Sequence, residues 1–104
     1  MRDRSVIGKR IREARLRAGF SQKLLGIQAG IDEFSASPRV NQYERGKHAP
    51  DLGTVERLAR ALRVPTPYLY ARDDQLAEWI LTFDRLSTRQ RATILKKSRG
   101  GSDR

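Results

Sequence analysis

The sequence predicts an all-α fold, and two features of its 104 residues carry this prediction. Apolar residues recur at spacings of three and four over most of the chain, which is typical of helices with one buried face. Local signals for helix starts and stops separate these segments: a hydroxyl followed by proline at Ser37-Pro38, and glycines such as Gly19 and Gly30 after the last apolar position. We therefore expect five helices within residues 1–70, followed by one or two C-terminal helices.

The first helix is predicted over residues 5–18, where one apolar stripe is followed by Gly19. The stripe consists of Ile7, Ile11, Ala14 and Ala18. The other faces are predicted to be exposed and basic, with Lys9, Arg10, Arg12, Arg15 and Arg17. A solvated basic face explains Arg12 and Arg17 as well as contact with a polyanion does.

A second helix is predicted from about Gln22 to Ala29. Ser21 is a good N-cap for it, and Gly26 stands where a small residue lets another backbone approach. The next segment, residues 31–36, is predicted to be a polar turn with Phe34 as its apolar packing residue. Backbone N–H groups at the start of this second helix would make Gln22 and Lys23 suitable for contact with a phosphate.

A third helix is predicted from Pro38 to about Arg45, with Val40 and Tyr43 facing inward. Polar side chains then face outward, and Arg, Asn and Gln have the hydrogen-bonding geometry that matches base edges in the major groove. The two helices and their turn have the outline of a helix-turn-helix. The candidate base-contacting residues are Ser37, Arg39, Asn41 and Gln42, and the candidate phosphate-contacting residues are Gln22, Lys23, Arg45, Lys47 and His48.

Two further helices complete the first domain. Asp51 is a good N-cap after Pro50 for a fourth helix that ends near Arg63 and buries one apolar face. Thr66-Pro67 starts a short fifth helix in the same manner as Ser37-Pro38. We interpret both helices as scaffold.

Many spaced positions of this stretch resemble the phage-repressor-like helix-turn-helix family, also called the Cro-type or xenobiotic-response-element family. The resemblance covers about residues 5–69, and from Gly30 to Glu44 the chain is about four residues longer than the usual pattern. It implies a sequence-specific DNA-binding fold in which Arg15 and Glu44 form a structural ion pair and Gln22 touches the DNA backbone. The positions that carry it are Phe20-Ser21-Gln22, Leu25, Gly30-Ile31, Tyr43-Glu44-Arg45-Gly46-Lys47, Pro50, Leu58-Ala59-Arg60-Ala61-Leu62 and Val64.

Residues 71–98 are predicted to form a helical extension with more apolar surface than its own domain can cover. Such a surface usually marks an oligomer contact, although folding back onto the core is an alternative. Ser87 to Gln90 has the capping-box pattern that starts a last helix, and residues 99–104 are predicted to be a disordered tail. The candidate dimerisation residues are Leu76, Trp79, Ile80, Phe83 and Leu86.

The charge balance favours a polyanionic partner and the composition disfavours an enzyme. Twenty-two basic and 12 acidic residues give a net charge of +10, concentrated at the two ends of the chain. There is no cysteine and one histidine, and no glycine-rich phosphate loop or metal-ligand cluster is apparent, so we expect no cofactor, no metal and no catalysis. No apolar stretch approaches a membrane span, and we expect a cytoplasmic protein of bacterial or phage type.

Two functions from different classes remain open from the sequence. The first is a transcriptional regulator, a repressor, that binds a palindromic operator in double-stranded DNA as a homodimer. The second is a protein-interaction module, such as an antitoxin or a bridging coactivator, whose C-terminal helices bind another protein. The apolar surface of the C-terminal extension would serve either function, and purification with or without a companion protein would distinguish them.

Overall fold

Residues 6–101 are described by the structure, a computed structural model, and within them the chain forms seven helices and no strand. The all-α prediction is confirmed. The helices in chain order are α1 (Val6–Ala18), α2 (Gln22–Gln28), α3 (Glu33–Glu44), α4 (Leu52–Leu62), α5 (Thr66–Tyr70), α6 (Asp74–Arg85) and α7 (Thr88–Gly101).

The core is formed by the five helices α1 to α5. Each of them contributes at least one wholly buried apolar side chain. Removing such side chains from water is the main favourable contribution to folding, about 1.5–3 kcal/mol for each large one. Because α2 and α3 both pack into this core, their outward faces are held in one fixed arrangement. Representative core residues from the five helices are Ile11, Leu25, Val40, Leu58 and Leu69.

Helix starts agree with the predicted caps at two positions. The Ser21 hydroxyl accepts a hydrogen bond from the Leu24 amide at 2.9 Å, and the Asp51 carboxylate accepts one from the Thr54 amide at 2.8 Å. The hydrogen bond from the Thr54 backbone lowers the pKa of Asp51. Each cap satisfies an N–H group that has no partner within its helix, which stabilises a helix by about 1 kcal/mol.

The predicted start of α3 at Ser37-Pro38 is wrong. The helix begins at Glu33, one turn earlier, because the Asp32 carboxylate accepts hydrogen bonds from the amides of Phe34 and Ser35 at 3.0 and 3.1 Å. Pro38 lies inside the helix, where it removes one backbone hydrogen bond without ending the helix. The four additional residues thus form an extra helical turn instead of a longer loop.

Arg10 was predicted to be exposed, and this prediction is also wrong. Its side chain is 2% exposed, and its Nε donates to the carbonyl of Ala71 at 2.8 Å. Its Nη2 donates to the carbonyl of Arg72 at 3.2 Å and to the Asp74 carboxylate at 2.9 Å. Burial of a charged group is tolerated here because partners surround it. Arg10 therefore fastens the beginning of α6 to α1.

The last two helices pack loosely on the rest. Within the described residues α6 buries only Ala77, and α7 buries no side chain. The predicted capping box is present, since the Ser87 amide donates to Gln90 Oε1 at 2.9 Å and the Gln90 amide to Ser87 Oγ at 3.1 Å. The helix α7 continues to Gly101, so residues 99–101 are helical and not part of a tail; a glycine lowers helix propensity without forbidding a helix. Residues 102–104 of the predicted tail lie outside the described range.

Over the part of the chain that the structure describes, none of the helices has the length and apolar character needed to cross a bilayer.

Candidate nucleic-acid interface

The two helices of the candidate interface, α2 and α3, approach each other very closely at Gly26. A Cβ atom added at Gly26 would lie 2.6 Å from the Cβ of Ala36 and 2.8 Å from its Cα. Real Cβ atoms essentially never come so close, so only glycine fits without a shift of backbone. The sequence predicted a small residue here, and the structure identifies its neighbour as the extra turn of α3.

An ion pair joins α1 to the C-terminal end of α3. Arg15 Nε and Nη2 donate to Glu44 Oε2 and Oε1 at 2.5 and 3.0 Å, a bidentate arrangement. The side chains are only 11% and 3% exposed, so solvent screens this pair weakly. Arg15 Nη1 also donates to the carbonyl of Phe20, at 3.0 Å, just before α2 begins. One guanidinium thus connects α1, the segment before α2 and the end of α3.

Gln22 extends this network to the outward surface. Its amide Nε2 donates to Asn41 Oδ1 at 3.2 Å and to Glu44 Oε1 at 3.1 Å. Gln22 was assigned to a phosphate and Asn41 to a base, and the structure brings the two side chains together across the α2–α3 junction. Their mutual hydrogen bond reduces the rotamer freedom that each would lose on binding.

The outward face of α3 follows from its buried face. Ala36, Val40 and Tyr43 are buried, and each residue advances about 100° around a helix. The opposite side therefore contains the exposed residues Phe34, Pro38 and Arg45, and the half-buried residues Asn41, Gln42 and Ser37 lie nearer its edges.

Arg39 lies at the edge of the outward face of α3. It is exposed, but its position is at the flank of α3, on the side of Asp32. The pKa of Asp32 is lowered by hydrogen bonds from Ser35 and Phe34 and, to a smaller extent, by the charge of Arg39. Of the four candidate base-contacting residues, Asn41 and Gln42 are thus nearest the centre of the outward face, and Arg39, although exposed, is farthest from it.

Four of the candidate phosphate-contacting residues are exposed cations or imidazole: Lys23, Arg45, Lys47 and His48. Lys23 Nζ lies 3.7 Å from Glu33 Oε2, which pairs the first turn of α2 with the first turn of α3. The loop after α3 is ordered by its backbone, since the Lys47 amide donates to the Gln42 carbonyl at 2.9 Å. Exposed positive charges on either side of α3 are suited to contact the phosphates that border a DNA groove.

Sequence reasoning missed the outward position of Phe34, which was assigned to packing. Its side chain is 90% exposed. A usable signal was present, because Ala36, Val40 and Tyr43 follow one another at spacings of four and three after a capping residue, Asp32. That pattern indicates a helix from Glu33, and it places Phe34 opposite the buried stripe.

The candidate dimerisation residues lie on a surface formed by α6 and α7, which we call the arm surface and define by Leu76, Trp79, Phe83, Ile94 and Leu95. Each of these side chains is between 38% and 54% exposed. The two helices enclose an open cleft of about 460 Å³, lined almost entirely by apolar atoms. Ile80 and Leu86, the remaining candidates, are half-buried beside it.

Arg91 fixes the angle at which α7 leaves α6. Its Nε donates to the Phe83 carbonyl at 3.0 Å and its Nη2 to the Asp84 carbonyl at 3.2 Å. The guanidinium carbon also lies 4.2 Å from the centre of the Phe83 ring, a cation–π geometry. A cation on the last carbonyls of α6 stabilises its C-terminal end.

Within residues 6–101, no three His, Cys, Asp or Glu side chains are grouped closely enough to hold a metal ion.

Comparison with known proteins places this geometry in a family. The helix-turn-helix domain family matches residues 6–69. The HTH-type transcriptional regulator ImmR of Bacillus subtilis (strain 168) is 34% identical over 68 residues, which are 65% of this chain and 50% of that protein. The HTH-type transcriptional regulator Rv0474 of Mycobacterium tuberculosis (strain ATCC 25618 / H37Rv) is 30% identical over 96 residues, 85% of this chain and 66% of that protein. The chain thus spans about half to two-thirds of the length of these two relatives.

A solved structure extends the comparison beyond residue 69, into the C-terminal helices. The crystal structure of transcriptional regulator BswR has 47% sequence identity with this chain and a TM-score of 0.84, and the match covers 89% of this chain and 92% of that one. The named relatives are all regulators, which supports the predicted class over an enzyme. Since the family match spans more than half of the chain and includes both α2 and α3, the chain belongs to the helix-turn-helix family of transcriptional regulators.

Proposed function

We propose that this protein represses transcription by binding a palindromic operator in double-stranded DNA as a homodimer. The observation that carries the proposal is the outward face of α3, which the buried pair of Arg15 and Glu44 and the linked Gln22 hold in one orientation. A recognition helix must be positioned before its side chains can read bases, and this network connects α1, α2 and α3.

The two helices divide the contacts with DNA. Asn41, Gln42 and Ser37 are the base-reading residues nearest the groove, and Arg39 reaches a base edge or a phosphate from the flank of α3. Around them, Gln22 and Lys23 at the start of α2 and Arg45, Lys47 and His48 after α3 contact the phosphates. The net charge of +10 favours this association and makes it strongly dependent on salt.

A second copy of the chain is the proposed partner of the arm surface. Burying Trp79 and Phe83, each about half exposed, would contribute on the order of 2 kcal/mol per side chain. The charge distribution supports self-association, because α6 and α7 carry net charges of opposite sign. The helix α6 contains three acids and one base, Asp74, Glu78, Asp84 and Arg85, whereas α7 contains only bases, Arg89, Arg91, Lys96, Lys97 and Arg99. An exchange that lays each α7 along the partner's α6 would join opposite charges.

Two copies related by a twofold axis would present their α3 helices to successive major grooves, about 34 Å apart. A dimer bound in this way occludes the DNA between and around its half-sites. Occlusion of a promoter requires no further chemistry, so repression is the regulatory outcome that we propose. Its place of action is the bacterial cytoplasm, where the DNA is accessible.

Selection of bound duplexes from a random DNA pool at near-physiological salt tests the proposal, since weak nonspecific binding is suppressed there. We expect a palindromic motif whose half-site centres are about 10 base pairs apart. In vitro transcription from a promoter that contains the motif should decrease when the protein is added. Recovery of no motif from folded protein would contradict sequence-specific binding.

Two arginine variants test the division of contacts. We expect Arg39→Ala to reduce discrimination among duplexes, by up to 1–3 kcal/mol if Arg39 reads a base, while weak salt-sensitive binding remains. The matched control is Arg12→Ala, which removes another exposed arginine, on α1. Equal losses from both variants would contradict a specific role for Arg39.

Sedimentation of the protein alone tests the homodimer. We expect Phe83→Ala to weaken self-association roughly 1,000-fold, because a twofold dimer loses two Phe83 side chains at about 2 kcal/mol each. Leu16→Ala, an exposed leucine on α1, should leave it unchanged. A monomeric wild-type protein that purifies with a stoichiometric companion would instead favour the second candidate function, an interaction module that uses the same exposed surface.

A further inference from the structure

Phe34 is the most exposed large apolar side chain in the described part of the chain, at 90%. It lies in the first turn of α3, two residues after the capping Asp32. An isolated exposed phenylalanine is common on protein surfaces, but this one stands on the helix whose outward face forms the candidate DNA interface. Its position therefore makes it available to contact whatever binds that face.

The packing of α3 leaves Phe34 no role inside the domain. Ala36, Val40 and Tyr43 already fill the inward side of the helix, and the close approach to Gly26 occupies the space beside Ala36. Phe34 lies on the opposite side, and Pro38 follows it one turn later on the same face. Together they form a short apolar strip beside the polar residue Asn41.

We propose that Phe34 and Pro38 contact the C5-methyl groups of thymines in the major groove and so add an apolar element to sequence recognition. The thymine methyl is the main apolar feature of the major-groove base edges, and phenylalanine is among the side chains that contact it. This inference rests on the proposed DNA binding through α3. It adds a specificity-determining residue that hydrogen-bonding patterns in the sequence did not indicate.

The extra turn of α3 places Phe34 about one helical turn before Pro38, at a different position along the groove. Four residues of helix correspond to about 6 Å. At about 3.4 Å per base pair, Phe34 would lie roughly two base pairs beyond the position that Pro38 reaches. A domain whose α3 began at Ser37 would contain no side chain there.

The acidic residues beside Phe34 do not prevent the approach to DNA. The Asp32 carboxylate is engaged with the amides of Phe34 and Ser35, and Arg39 lies on the same side. The Glu33 carboxylate lies 3.7 Å from the ammonium group of Lys23. These partners reduce the repulsion between the first turn of α3 and the phosphates, so that the strip can enter the groove.

Replacing single thymines by deoxyuridine in the selected motif tests the contact, because this change removes only the methyl group. For the wild-type protein we expect about a fourfold loss of affinity at one or two positions per half-site, the factor expected for one methyl group returned to water. At the position that Phe34 contacts, Phe34→Ala should bind the thymine duplex about as weakly as the deoxyuridine one, whereas the loss at the position that Pro38 contacts should remain. Phe34→Leu, which keeps an apolar side chain, should retain most of the discrimination.

Two controls separate this inference from the function on which it rests. Phe34→Ala should leave the salt dependence of binding unchanged, because no charge is removed, whereas Lys47→Ala should reduce it. Leu16→Ala, an exposed leucine on α1, should leave the deoxyuridine effect at its wild-type size. A wild-type motif that Phe34→Ala reads identically, thymines included, would overturn the inference and leave the proposed function standing. Selection of no motif by the wild-type protein would overturn both.

Discussion

The helices α1–α5 share a core of wholly buried apolar side chains, whereas α6 buries only Ala77 and α7 buries no side chain among the described residues. In the first group, which we call the body, large apolar residues such as Ile11, Leu25 and Leu58 are wholly buried. In the second group, the arm, Trp79 and Phe83 remain about half exposed. The body thus encloses its own hydrophobic core. The arm instead exposes an apolar face of the kind that usually marks an association surface.

The same contrast applies to polar groups. The body contains an enclosed ion pair, between Arg15 and Glu44, which connects α1 to α3 and so orients the outward face of α3. The arm is joined to the body by a polar contact at its beginning, between Arg10 and Asp74. Under the proposed function, reading and assembly are therefore separable: the body orients α3, and the arm would set the spacing of two such helices in a dimer.

Removing the buried carboxylate of the body should have the largest effect. We expect Glu44→Ala to lower the free energy of unfolding by about 3–5 kcal/mol, because it leaves the Arg15 guanidinium buried without its partner. Urea unfolding followed by far-UV circular dichroism measures this change. The matched control is Glu33→Ala, which removes an exposed acid that lies 3.7 Å from Lys23 and should cost less than about 1 kcal/mol. Similar costs for the two variants would show that the enclosed network does not hold the body together.

The same truncation made in both regions tests the contrast directly. We expect Leu58→Ala to destabilise the body by about 3 kcal/mol, because it leaves a cavity in a wholly buried site. Leu95→Ala, at a half-exposed site in α7, should change the unfolding of the body by less than about 0.5 kcal/mol and should weaken self-association instead. Chemical denaturation at micromolar concentration and sedimentation measure the two effects. An equal loss of body stability in both variants would contradict the division into body and arm.

Glycine-to-alanine changes distinguish the two regions with a smaller perturbation. Gly26→Ala should destabilise by about 1–3 kcal/mol, because its Cβ would meet the backbone of α3 at Ala36. Gly100→Ala has open space around its Cβ, and it should raise the helicity of α7, since alanine is favoured by about 1 kcal/mol in a helix. Circular dichroism reports both changes. A stable Gly26→Ala protein that binds DNA normally would show that α2 and α3 do not need their close contact.

Local pattern was sufficient to predict most of the fold. Periodic apolar residues and caps such as Ser21 and Asp51 identified the helices of the body, because each helix signals itself within a few residues. The start of α3 was missed because Ser37-Pro38 is also a strong local start signal. The longer helix is favoured by a cap at Asp32 and by the contact of Ala36 with Gly26, and that contact is between helices.

The candidate site was predictable in residue type and less so in orientation. Gln22 and Asn41 were recognised as polar groups suited to DNA, but their mutual hydrogen bond depends on how α2 and α3 cross. Arg10 was assigned to a solvated face because arginines are usually exposed. Its partner, the carbonyl of Ala71, lies 61 residues away in the chain. A contact between residues so far apart in sequence cannot be predicted from local sequence pattern.

The smallest expected effect concerns the junction between body and arm. Hydrogen bonds from Lys9 and Arg10 lower the pKa of Asp74 below its ordinary value of 3.8. A carboxyl group with a lowered pKa stabilises the folded state above its unfolded pKa, and this contribution is lost as the pH falls through the folded pKa. The contact should therefore support the docking of α6 at neutral pH and fade below about pH 4.

Asp74→Asn isolates this contribution. We expect a small destabilisation of the junction at pH 7 that shrinks as the pH falls through the lowered pKa of Asp74, because the protonated wild-type side chain is also neutral. Trp79 is the one tryptophan of the chain and lies on α6, so its fluorescence reports the arm, while amide exchange at Leu58 reports the body. A difference between the two proteins that stays constant while acid titration protonates the wild-type Asp74 would show that the charge of Asp74 does not hold the junction. A difference seen equally by both probes would mean that arm and body open together, and the comparison of two separable regions would then fail at the point where they meet.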